Sequence, residues 1–174
     1  QENIAEYVLY LFQIEDIVRS LNFDIDHIMR KIVQPNLPDS SFEGQYRKWY
    51  TDIIQEMTRA NLTKKGHLDR VMEVMKELVF LHNTLLSVKD ESQYKQLCTN
   101  STSYISEFRE KASMKNQHDV EILIHAMHMK LQFRLRKKEI TQETEEALDA
   151  MRIQPAFLVR EYHKMKSSDY SSMQ

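Results

Sequence analysis

The chain has 174 residues and a net charge of −2, with 41% hydrophobic and 29% charged residues. That is room for one domain with a sizeable core, and it gives no overall pull toward nucleic acid or acidic membranes. Two glycines and three prolines are too few for the turns of a β-rich fold, and the one cysteine, Cys98, cannot form an internal disulfide.

The first predicted element is a helix over Asn3–Leu21. Ile4, Tyr7, Leu11, Ile14, Val18 and Leu21 share one face, and Ala5, Val8, Leu9 and Phe12 continue around it. Glu15 and Asp16 fall inside these apolar arcs, and Arg19 follows Glu15 at i+4, the favourable order for an ion pair. Charges set among apolar residues need partners when buried. Glu15, Asp16 and Arg19 therefore read as a structural ion network, with a ligand site as the sharper alternative.

Asp24 is placed to cap a shorter helix ending near Val33, with Ile25, Ile28, Met29 and Ile32 inward. Pro35 and Pro38 end it. Ser40 and Glu43 have capping-box spacing for a helix to about Ala60, with Phe42, Tyr46, Trp49, Tyr50, Ile53 and Met57 on one side. Asn61 and Gly66 in the following connection suit a left-handed backbone. His67–Ser87 is the next helix. His82 takes a place in its apolar row and reads as a core histidine bonded to a neighbour. Asp90 and Gln93 suggest a cap for a helix from Glu91 to about Ser113. Its apolar stripe is thin, which predicts the most peripheral helix, and Cys98 within it reads as a small core residue.

The central helix is expected over Asp119–Lys138. Its apolar side chains fall on two arcs: Val120, Leu123, Ile124, Met127, Leu131 and Leu135 on one, Ile122, Ala126, Met129 and Phe133 on the other. A helix with two apolar faces packs on two sides. Between the arcs runs a polar seam of Glu121, His125, His128 and Gln132. Thr141 caps a last helix, Pro155 is expected to break or kink it, and Ser167–Gln174 reads as a disordered tail. The prediction is a single all-α domain over 1–166, a bundle of six or seven helices with Asn3–Leu21 and Asp119–Lys138 as its core helices.

Several blocks together carry a resemblance. They are Asn3-Ile-Ala-Glu-Tyr-Val-Leu-Tyr10, Gln13-Ile-Glu-Asp-Ile-Val-Arg19, Lys65-Gly-His67, Leu81-His82 with Leu85-Leu86, and Arg134-Leu-Arg-Lys-Lys-Glu-Ile140. With these the chain resembles a family of small bacterial proteins known as a domain of unknown function, number forty-nine twenty-four. The resemblance implies a cytoplasmic, all-helical bacterial protein. It assigns no catalytic residue.

No P-loop, Rossmann glycine pattern, HExxH or GxSxG is present, so the sequence does not point to an enzyme. Ten Met and eight Tyr suit a helical protein that binds another protein or itself, with no cofactor. The alternative is a metal- or small-ligand-binding bundle. Glu121, His125 and His128 would then hold a divalent transition metal, with His82 or His67 completing the set, and Glu15, Asp16, Arg19 and His82 would be the possible ligand network. Nucleic acid and membranes are not expected partners, and the absence of a signal peptide or a long uncharged apolar run favours the cytoplasm.

Overall fold

A computed structural model describes residues 3–88 and 92–172, the side chains as far as 168. The described residues form seven α-helices and no strand, with one π turn and two 3-10 turns between α2 and α3. The helices are α1 (Ile4–Ser20), α2 (Ile25–Ile28), α3 (Glu43–Arg59), α4 (Asp69–Ser87), α5 (Ser92–Lys111), α6 (Asp119–Leu135) and α7 (Gln142–Ser172). The fold is all-α. The chain divides into two compact units, one of Gln1–Leu9 with Glu73–Gln174, the other of Tyr10–Met72. Both α1 and α4 run through a division point. No linker marks the division, which is why the sequence reads as one domain.

In the larger unit, α5, α6 and α7 pack against one another. One apolar cluster joins Leu78, Leu81 and Leu85 of α4, Tyr94 of α5, Val120 of α6 and Phe157, Leu158 and Tyr162 of α7. A second joins Ile105 of α5, Ile122, Leu123 and Ala126 of α6, and Leu148 and Met151 of α7. Helix α6 enters both clusters: Val120 at its start joins the first, and Ile122, Leu123 and Ala126, drawn from both apolar arcs, join the second. Its central role fades along its length: the residues from Met127 to Phe133 are half-buried and Leu135 is exposed.

Helix α5 is the most exposed of the long helices, as its thin stripe implies: Tyr94, Ser101 and Ile105 are its buried residues, and two of these are polar groups that find partners. Two expectations for this unit are corrected. Pro155 does not end α7, which continues to Ser172. An interior proline costs roughly 3 kcal/mol. Burial of Met151, Phe157, Leu158 and Val159 on either side of it offsets that. The expected disordered tail is helical through Ser172. Thr141 does cap α7, accepting the Thr144 N–H at 3.2 Å. The expected Asp90 cap lies outside the described residues.

In the 10–72 unit, α1 buries Leu11, Phe12, Ile14 and Val18, and α3 buries Tyr50, Ile53 and Met57. Asp24 caps α2 by accepting the His27 N–H at 3.0 Å. The helix then widens into a π turn over Met29–Val33, and this moves Val33, rather than Ile32 alone, to the inside. The cap before α3 is Asp39, not Ser40: its carboxylate accepts the Ser41 N–H at 2.7 Å, while Glu43 receives Gln34 instead.

Four helices close in the same way. After α1, α3, α5 and α6 a residue takes a left-handed backbone: Asn22 (φ 55), Asn61 (φ 56), Ser113 (φ 56) and Lys137 (φ 50). The next N–H reaches back five residues: Phe23 to Val18, Leu62 to Met57, Met114 to Arg109 and Lys138 to Phe133. This is the Schellman closure, which satisfies carbonyls that the helix leaves open. Glycine is its usual residue, and this chain uses glycine at none of the four.

Candidate functional site

The charges set into α1 meet the chain that enters α4. Glu15 is fully buried. Its Oε2 lies 2.6 Å from His67 Nδ1 and its Oε1 accepts the Leu68 N–H at 2.8 Å. Arg19 Nε donates to Leu62 O at 3.1 Å, its Nη2 donates to Gly66 O, and its Nη1 stands 4.0 Å from Glu15 and 3.6 Å from Asp16. The His67 ring stacks on Phe12 at 3.9 Å between centroids. Glu15 and Arg19 thus hold both ends of the 62–68 segment against α1. All their polar atoms named here are engaged with the chain itself, so the group is a latch. His67, which the sequence reading put inside a helix, precedes α4 and is the latch's third member.

His82 is a bonded core histidine, as its place in the apolar row implies. Its Nδ1 lies 2.7 Å from Tyr94 Oη; Gln154 Nε2 donates to the same oxygen at 3.3 Å, and Ser101 Oγ donates to Gln154 Oε1 at 2.6 Å. Gln154 links the two ends, donating to Tyr94 Oη and accepting from Ser101, so the row runs unbroken from His82 to Ser101. All four side chains are buried. Burial, followed by the nearby His118 ring, holds the His82 pKa below its ordinary value, against Asp119, which raises it. Burial also raises the Tyr94 pKa. The row joins α4, α5 and α7 through satisfied polar atoms. His82 lies in the core of the larger unit, and Glu15, Asp16 and Arg19 lie in the latch of the 10–72 unit.

The seam residues of α6 take different places along the helix. Glu121 turns back to accept the His118 N–H at 3.0 Å, while His118 Nδ1 accepts the Val120 N–H at 3.2 Å. Glu121 is therefore half of a capping box that closes the start of α6. His125 and His128 are half-buried further along the same helix. Among the described residues, no three of His, Cys, Asp and Glu come together in a group able to hold a metal ion. Shared helical spacing placed the three on one face, but it could not show that the first was needed as a cap. Cys98 is half-buried with its pKa raised by burial, the opposite of an activated thiol.

The surface feature that stands out is aromatic and lies in the 10–72 unit. Phe42 and Tyr46, one helical turn apart, are 45% and 41% exposed, and Tyr10 on α1 is 48% exposed. Tyr10 faces Trp49 at 6.1 Å between centroids, and Trp49 meets the buried Tyr50 edge-on at 4.9 Å. The Tyr10, Tyr46 and Tyr50 hydroxyls are close enough to act on one another: burial first, then the neighbouring tyrosines, raise the Tyr10 pKa, and the same causes push Tyr50 up to about 12. Ion pairs of both signs border this region, Arg47 with Asp26 and Lys48 with Asp52, each at 2.8 Å. The spacing sets Phe42, Tyr46 and Trp49 on one side of α3 with Tyr50, Ile53 and Met57. The inward face begins at Tyr50, and the first two turns stand clear. The signal lay in the composition: a run of aromatics ahead of the aliphatic Ile53 and Met57.

Among the described residues, no helix is long and apolar enough to cross a membrane. The family model described as domain of unknown function (DUF4924) matches residues 1–169. No curated protein and no solved structure matches the chain.

Proposed function

The chain belongs to the DUF4924 family, a domain of unknown function, and on its own geometry we propose that it is a non-enzymatic helical protein that acts by self-association through its aromatic face. The observation that carries this reading is the exposure of Tyr10, Phe42 and Tyr46 beside Trp49. Burying one large aromatic fully is worth roughly 1.5–3 kcal/mol, and tyrosine and tryptophan concentrate at interface centres because they combine apolar area with a polar tip. The occupant favoured is a second copy. A border with equal numbers of both charges, already paired within the chain, adds no net repulsion when two copies meet. The net charge of −2 adds little repulsion between copies.

Sedimentation equilibrium over about a hundred-fold range of concentration tests the reading. The expected result is a mass that climbs from one protomer toward two. Phe42→Glu with Tyr46→Glu should hold the protein at one protomer with its helical circular dichroism unchanged. A wild-type protein that stays monomeric throughout sinks the proposal, and so does a double variant that associates as wild type does.

A further inference from the structure

The larger unit carries a cleft that none of the foregoing uses. It lies between α5, α6 and the first turns of α7 and encloses about 270 Å³. That is just below the roughly 300–1,000 Å³ of drug-sized sites, so its occupant is a small molecule. The floor is apolar: Phe108 of α5, Met129 of α6, and Leu148 and Met151 of α7, with Tyr104 beside them. Leu148 and Met151 are themselves members of the second core cluster, so the floor is set by the packing of the unit. The methionines give it an adaptable, polarizable lining.

The mouth carries Glu107, Lys111 and Glu143. Lys111 Nζ lies 2.5 Å from Glu107 Oε1. The hydrogen bond and charge of Glu107, and then the charge of Glu143 from across the cleft on α7, raise the Lys111 pKa and keep it an ammonium. Two carboxylates against one ammonium leave the mouth negative. An entering anion would have to take Lys111 from Glu107 and then face Glu143. An entering cation meets Glu143 directly, and the ring faces of Tyr104 and Phe108 attract positive charge.

We propose that this cleft is a binding site for a small organic cation with an apolar body, of the alkylamine or arylamine class. The apolar body fills the space over Met129, Leu148 and Met151, and the ammonium stays at the mouth beside Glu143. The charge selects and the floor supplies most of the affinity, so the preference for cation over neutral analogue is modest and falls with salt.

Calorimetric titration of the full chain with n-hexylammonium, n-hexanol and n-hexanoate tests this. Saturable one-to-one binding is expected for the amine, about two- to five-fold tighter than for the alcohol, as one exposed carboxylate supplies, with the carboxylate weakest. Glu143→Gln should remove most of the amine's advantage over the alcohol. Ala147→Trp, which fills the cleft from α7, should abolish binding of all three. Should that variant fail to fold, Glu143→Lys on the exposed rim decides instead: it must weaken the amine and strengthen the carboxylate. The proposal is overturned if the amine does not bind, if hexanoate binds as well as hexylammonium, or if the Glu143 variants leave the order of the three unchanged.

Discussion

Oε2 of Glu15 and Nδ1 of His67, 52 residues apart in sequence, stand 2.6 Å from each other around a carboxylate that no solvent reaches. The other oxygen of the same carboxylate holds the Leu68 N–H. One side chain on α1 therefore fixes the path of the chain into α4. Removing one partner of a buried charged pair costs roughly 3–5 kcal/mol, because the groups left behind keep their desolvation without their bonds. Glu15→Ala is expected to lower the unfolding free energy by about that much. Glu15→Gln keeps an acceptor for Leu68 and a hydrogen-bonding atom for the imidazole, and should cost roughly 1–2 kcal/mol. Urea unfolding of the three proteins measures both. Equal losses in the two variants would show that the charge, not the bonding geometry, holds the latch.

Gly66 is the backbone end of the same latch. Its φ of +92 lies where side chains are strained, and a Cβ placed there comes within 2.8 Å of Leu62 Cδ2. Its carbonyl accepts from Arg19. Gly66→Ala should cost roughly 1–2 kcal/mol from the backbone alone, with a further loss if Leu62 moves and disturbs the bond from Arg19 to Leu62 O. Gly44 is a matched control: it sits in α3 with nothing within 4 Å of a Cβ, so Gly44→Ala should stabilise, by about 0.5–1 kcal/mol. Thermal unfolding of the pair should move in opposite directions.

These two residues also show what the sequence discloses. Glu15 inside an apolar arc with Arg19 at i+4 announces a partnered charge, and Asn61 and Gly66 announce left-handed backbone; both are legible because they are local. The partner, His67, is not, since nothing in a helical pattern says which loop crosses over which helix. The two-sided packing of α6 follows from its arcs, because every apolar residue must go somewhere. The thin stripe of α5 gives its buried Tyr94 and Ile105 but not Ser101, because Ser101, Gln154 and Tyr94 pack through bonds that only become visible when the helices meet. The capping role of Glu121 is hidden for the related reason that one carboxylate has two uses, ligand or cap, at the same spacing.

His82 should make stability depend on pH. Its neighbours are Tyr94 from α5, His118 at the N-cap of α6 and Asp119 at its start. Burial first, then His118, keep its folded pKa below the ordinary 6.5. The unfolded chain therefore binds a proton before the folded one does. The contribution of His82 is full above about pH 6.5 and is lost as the pH falls from there through the lowered folded value. Protonation makes Nδ1 a donor, so Tyr94 Oη must then accept from it. Melting temperatures between about pH 8 and pH 5 should fall for the wild type. In His82→Gln, which offers Tyr94 an acceptor that does not titrate, the fall should be shallower, although the protein starts less stable. Parallel curves would mean that other histidines govern the acid limb.

The four glycine-free helix ends leave stability unused. Ser113 after α5 and Lys137 after α6 hold φ of 56 and 50 inside Schellman closures. A side chain in that conformation costs roughly 1–2 kcal/mol, while glycine adopts it freely but gives up more entropy on folding. The balance favours glycine by about 0.5–1 kcal/mol at each position, provided the side chain it replaces contributes nothing else. Both are exposed, and neither side chain makes a bond that closes its helix. Ser113→Gly and Lys137→Gly are each expected to raise the midpoint of urea unfolding without changing its slope. Ser113→Ala and Lys137→Ala should raise it at neither site, because alanine keeps the Cβ that causes the strain. A gain in the alanine variants as large as in the glycine ones would place the cost in the original side chains and not in the backbone.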